Sequence, residues 1–148
     1  MSYHYEYPRP AVTVDIIVIS GLISPKILLI ERLHDPFKGN WALPGGFVNE
    51  QEDLSVAAYR ELKEETDIDQ IVLKQFKTYG TPNRDPRGHT VSVIYFGAVE
   101  EDISFLAGDD AASAQWFQLK NLPNLAFDHE LIIREFIKDY FNHEKLVL

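Results

Sequence analysis

The sequence predicts an α+β fold, an α/β/α sandwich in which a mixed β-sheet lies between helices. Three observations predict it. Short apolar runs bounded by Gly and Pro both precede and follow a central segment with four-residue apolar periodicity. A second amphipathic segment lies near the carboxyl end. The resulting order is strands, helix, strands, helix, which calls for helices packed on a sheet.

Residues 12–20 (VTVDIIVIS) and 26–31 (KILLIE) read as strands around a turn at 21–25. Asp15 interrupts the first run, and an edge or outward position is expected for it. Residues 34–47 are dense in Pro and Gly and read as loop with a short strand. From Asp53 to Thr66, Leu54, Ala58 and Leu62 recur every fourth residue, the mark of an amphipathic helix. Residues 74–79 form the next strand, and residues 81–90 (TPNRDPRGHT) a polar loop with two prolines. Residues 90–99 (TVSVIYFGAV) are a strong strand, and residues 113–119 a shorter one. Asp128 is placed to cap a final helix reaching about Phe141.

The chain has 148 residues, enough for a single domain over residues 1–148 with a sizeable core. Its net charge is −9, which disfavours nucleic acid as a partner because phosphate contacts need clustered Lys and Arg. No apolar run is long enough to cross a bilayer, and no signal peptide is visible, so no membrane partner is expected. The absence of cysteine removes disulfides, thiolate metal sites and cysteine nucleophiles, and fits a cytoplasmic protein. A chain this acidic repels a polyanionic substrate unless a cation mediates.

The central helix ends Arg60-Glu61-Leu62-Lys63-Glu64-Glu65. At about 100° per residue, its three glutamates fall on one face, with Leu54, Ala58 and Leu62 turned to the core. Like charges three and four residues apart destabilise a helix, and acids near its carboxyl end oppose the macrodipole. A divalent cation offsets both costs, and oxygen-only donors suit Mg²⁺ or Mn²⁺. A solvated acidic face paired with Arg60 and Lys63 is the alternative. Just upstream, Gly45-Gly46 lets backbone approach a ligand closely.

Gly46, Glu52 and the run Arg60-Glu61-Leu62-Lys63-Glu64-Glu65-Thr66-Asp67-Ile68 resemble the signature of the Nudix hydrolases. The match departs only at Asp67, where the signature has glycine. Chance agreement at the specified positions is on the order of one in 10⁵. Trp41-Ala42-Leu43-Pro44-Gly45-Gly46 resembles that family's lead-in, and residues 114–117 its late strand. Asp67 follows the helix, where left-handed geometry is common and Asp tolerates it.

The resemblance implies a hydrolase of nucleoside diphosphate linkages. Glu61, Glu64 and Glu65 would hold one or more Mg²⁺, with the Gly45 carbonyl as a further ligand. Arg60 would orient these acids, and Glu52 would be their partner or an occasional ligand. The general base is open among the box glutamates and the loop acids Glu100, Glu101, Asp109 and Asp110. These four are also ordinary turn residues.

The loop containing Arg84 and Arg87 resembles a segment of ADP-ribose pyrophosphatases and of Nudix-like sensor domains in regulators of NAD metabolism, as does Ala126-Phe127-Asp128-His129. That implies a small-molecule nucleotide substrate, ADP-ribose or a related ADP-sugar. Arg84 and Arg87 would bind it; an Arg84–Asp85 pair in a surface turn is the other reading. Arg32, Phe37 and Trp41 are candidates to line the pocket, Trp41 being equally suited to the core. A non-catalytic ligand sensor and a housecleaning triphosphate pyrophosphatase remain as alternatives. Intact box acids and the lack of a basic recognition helix favour an enzyme. Related hydrolases are often homodimers, and Tyr3, Tyr5 and Tyr7 could pack on a neighbour or fray.

Overall fold

A computed structural model describes residues 2–21, 23–100 and 113–141. The strands are β1 (Ala11–Ser20), β2 (Lys26–Glu31), β3 (Trp41–Ala42), β4 (Gly45–Phe47), β5 (Lys74–Tyr79), β6 (Thr90–Val99) and β7 (Gln115–Gln118). The helices are α1 (Leu54–Thr66) and α2 (His129–Phe136), the latter continuing as a π-helical turn over Ile137–Phe141. The sheet is mixed. β1 runs parallel to β6 along their whole lengths, while β2, β4, β5 and β7 join by antiparallel pairing. Its main path is β3-β2-β1-β6-β5, with β4 beside β1 and β7 beside β2.

Alternation along β1 builds two cores. Val14, Ile16 and Val18 pack with Ala57, Ala58 and Leu62 of α1. Ile17 and Ile19 pack with Ile132, Ile133 and Phe136 of α2. The two helices therefore cover opposite faces, as a central strand apolar on both sides requires. Leu62 is fully buried, a contribution of about 2 kcal/mol.

Helix α1 starts where Asp53 accepts the Ser55 N–H at 2.9 Å. It stops at Asp67, whose φ of 61° is left-handed and whose N–H returns to the Lys63 carbonyl. The residue that departs from the signature thus occupies a glycine-like backbone position.

Two sequence expectations are corrected. Asp15 is neither at an edge nor outward. β1 is the centre of the sheet, and Asp15 is only 8% exposed. A lone polar residue in an apolar run suggests an edge, but here its carboxyl is met by Ser92 of β6 and by the charge of Arg84. Asp128 stands at the cap position of α2 but makes no side-chain capping bond. Both its carboxylate oxygens go to Arg84, at 2.6 and 2.8 Å, because two parallel bonds between opposite charges outweigh the single backbone N–H a cap would supply.

Candidate functional site

The site forms where α1, the β3–β4 segment, the residue 81–90 loop and the start of α2 meet beside β1. Arg60 organises its acidic side. The guanidinium bonds Glu52 through Nε (2.6 Å) and Nη2 (2.9 Å), Glu61 through Nη1 (2.9 Å), and the Phe47 carbonyl (3.2 Å). A longer contact of 3.3 Å reaches Glu64, four residues on. These bonds hold the Glu52 carboxyl down to about 2, the Arg60 pair first and the Asn49 N–H second.

Glu65 takes the other direction. Burial raises its pKa to about 8, against the stabilising Gly45 N–H at 2.8 Å and with help from Glu61 and Asp15. Burial also raises Glu61. Asp15 rises to about 7, again chiefly by burial, opposed by Arg84 and by a bond from Ser92. Three desolvated carboxyls thus share one region, a costly arrangement typical of functional sites.

The glycine pair permits the approach. A Cβ at Gly46 would lie 2.6 Å from Glu61 Oε1, and one at Gly45 2.2 Å from the Val14 carbonyl oxygen. At Gly45 the obstacle is backbone and no larger residue fits, whereas at Gly46 the Glu61 carboxylate would have to move aside.

The structure does not gather Glu61, Glu64 and Glu65 into one cluster. Among the described residues, no three His, Asp or Glu side chains stand close enough to grip one ion. Like charges separate, and each acid takes a nearby donor. Glu61 bonds Arg60, Glu65 bonds Gly45, and Glu64 stays 55% exposed at the end of its long contact. The donor set still fits a hard divalent cation. It is all oxygen, it comes from neighbouring positions on α1, and burial raises the pKa of two of its acids, Glu61 and Glu65.

Arginine and aromatic residues join the acids in one lining. A cavity of about 160 Å³ is lined by Asp15, Gly45, Gly46 and Glu65 together with Arg32, Arg84, Arg87, Phe47 and Phe127. Arg84 does not pair with Asp85. It spends its N–H groups on Asp128 and on Ser92 Oγ (2.6 Å), and its side chain is 5% exposed. Asp85 pairs instead with Arg87 at 2.8 Å. The Arg87 Cζ lies 4.8 Å from the Phe47 ring centre and 5.1 Å from that of Phe127. Phe37 touches Phe127 edge-on, behind the lining. Trp41 is not among the lining residues; it is half-buried and packs edge-on against Phe117, beside the core that meets α2.

Sequence reading missed three members. Asp15 was set aside as an edge residue. Phe127 was read only as part of a resembling segment. His129, 4% exposed, accepts the Leu43 N–H at Nδ1 (3.0 Å), and burial lowers its pKa to about 4. That bond braces the link between β3 and β4, two residues before Gly45. Of the loop acids, Glu100 follows β6 and is exposed, while Glu101, Asp109 and Asp110 lie outside the described residues.

Relatives of known kind share this architecture. The model of the NUDIX domain matches residues 9–140. An ADP-ribose pyrophosphatase of Methanocaldococcus jannaschii is 47% identical over 134 residues, 89% of this chain and 76% of that one. The NUDIX domain of Shewanella oneidensis NrtR, solved in complex with ADP ribose, is 29% identical with a TM-score of 0.81. The likeness covers 95% of this chain and 91% of that one. A bifunctional NMN adenylyltransferase/ADP ribose pyrophosphatase from Francisella tularensis, solved with AMP and a Mn ion, has a TM-score of 0.75 at 30% identity, covering 91% of this chain and 43% of that one. With the family's domain model matched from before β1 to within the last helical turn, this chain belongs to the Nudix family.

Proposed function

We propose that the protein is a divalent-metal-dependent pyrophosphohydrolase that splits ADP-ribose, or a related ADP-sugar, into AMP and a sugar phosphate. The observation that carries this is one cavity whose lining brings together carboxyls, Glu65 and Asp15, and cationic and aromatic groups, Arg32, Arg87 and Phe127. A diphosphate needs both, cations for its charge and acids for a metal. The likeness to proteins named for ADP-ribose supports this ligand above other nucleotides.

Glu61, Glu64, Glu65 and the Gly45 carbonyl would hold the ion. When bound, Mg²⁺ or Mn²⁺ supplies charge neutralisation and a more acidic water. Arg60 keeps Glu52 and Glu61 in place rather than touching substrate. Water adds to one phosphorus, the bridging P–O bond breaks, and the released phosphate oxygen takes a proton. A homodimer in solution and indifference to nucleic acid complete the proposal; light scattering and a DNA-binding assay check them.

The main test is turnover with Mg²⁺ on ADP-ribose, other ADP-sugars, NADH and deoxynucleoside triphosphates, read as phosphatase-releasable phosphate. ADP-ribose is expected among the best substrates. Turnover of triphosphates alone would sink the choice. The NrtR domain with bound ADP ribose motivates a second reading, a sensor. ADP-ribose binding by calorimetry with no phosphate release would establish that reading instead.

A further inference from the structure

Phe127 is held in a conformation that bulky residues avoid. Its φ is 51°, in the left-handed region. The chain on both sides is tied down. The Ala126 N–H donates to the Trp41 carbonyl at 2.8 Å, and Asp128 is locked to the buried Arg84. These ties keep the ring in the wall of the site. There Arg32 Cζ lies 4.9 Å and Arg87 Cζ 5.1 Å from its centre, and Phe37 meets it edge-on at 4.9 Å.

The two arginines differ from Arg84. Arg84 is fully engaged by Asp128 and Ser92. Arg32 has no carboxylate partner among the described residues and bonds only the carbonyls of Pro36 and His34. Arg87 shares Asp85, but its Nη1 makes no hydrogen bond among the described residues. Burial and the facing Arg87 both disfavour the charge on Arg32. Two guanidinium groups brought to one ring repel each other, and an anion between them relieves that repulsion. Their planar forks match phosphate oxygens.

We propose that Phe127 is a positioning residue that spaces Arg32 and Arg87 into a receptor for a phosphate group of the substrate, instead of stacking on its base. The identity of that substrate rests on the function proposed above; the receptor does not. Of the loop pair Arg84 and Arg87, the receptor keeps Arg87, and Arg32 takes the place of Arg84.

The test compares AMP, ribose 5-phosphate and adenosine as ligands, by calorimetry in Mg²⁺ buffer. The proteins are wild type, Phe127→Gly, Phe127→Tyr and Arg32→Gln. Glycine adopts the left-handed backbone without strain, so Phe127→Gly removes the ring and keeps the fold. Release of the two arginines from the ring, which must then be ordered when the ligand binds, is expected to weaken the phosphate-bearing ligand about tenfold. Arg32→Gln should do at least as much, Phe127→Tyr should bind as wild type does, and adenosine should be unaffected throughout. The proposal is overturned if Phe127→Gly weakens adenosine as much as AMP, if it weakens nothing, or if neither phosphate ligand binds wild type. A protein with the expected pattern but no ADP-ribose hydrolysis loses the function reading alone. One that hydrolyses ADP-ribose without the pattern loses this inference alone.

Discussion

His129 makes the protein's stability depend on pH in a way that can be isolated. The ring is buried and neutral, with Nδ1 accepting the Leu43 N–H. Its pKa is about 4 folded, against an ordinary 6.5. A histidine with a lowered folded pKa is fully compatible with folding above 6.5, and costs stability as pH falls, because only the unfolded chain takes up the proton. From pH 7 to pH 5 the span below 6.5 is 1.5 units, which at about 1.4 kcal/mol per unit is about 2 kcal/mol. Asp15 and Glu65 act in the opposite sense. Their folded pKa values are raised, so lowering the pH relieves their burial. The comparison must therefore be made against a variant that changes His129 alone. Asparagine sets an acceptor oxygen near the place of Nδ1 and does not titrate. Urea unfolding of wild type and His129→Asn at pH 7 and pH 5, followed by tryptophan fluorescence, gives four free energies. Between the two pH values the wild type is expected to lose about 2 kcal/mol more than the variant. An equal loss in both would refute the assignment of that cost to His129.

Glu65→Gln should cut turnover by two or more orders of magnitude yet raise the thermal midpoint at pH 8, since it removes a buried acid whose pKa is about 8. A drop in midpoint with specific activity intact would contradict its proposed role. Gly46→Ala should fold but lose at least about tenfold in turnover, because the new methyl displaces the Glu61 carboxylate; circular dichroism and kinetics separate the two effects. Asp67→Gly, at a φ of 61°, should stabilise α1 by up to about 1 kcal/mol and leave turnover unchanged. A large rise in rate would mean that the departure from the signature touches the chemistry.

The helix carrying Glu61, Glu64 and Glu65 was legible because its signals are local. Apolar spacing at Leu54, Ala58 and Leu62 and the glycine pair all lie within a short stretch. The strand limits were legible for the same reason, as alternation and turn residues act on neighbours. The sandwich followed from element order, and the structure bears it out. Asp15, Phe127 and His129 could not be read in this way. Each acquires its environment from residues far along the chain, Asp15 from Ser92 and Arg84, Phe127 from Arg32 and Arg87, and His129 from Leu43. The arginine loop shows the same limit. Two arginines in one loop look alike in sequence, but Arg84 is held by Asp128, just before α2, and by Ser92, whereas Arg87 shares Asp85 and keeps its Nη1 without a hydrogen bond among the described residues. The sequence alone therefore determined the elements, the family and the acidic helix. Which cations remain available to a ligand was decided only by tertiary structure, because charge pairing depends on distance in space and not along the chain.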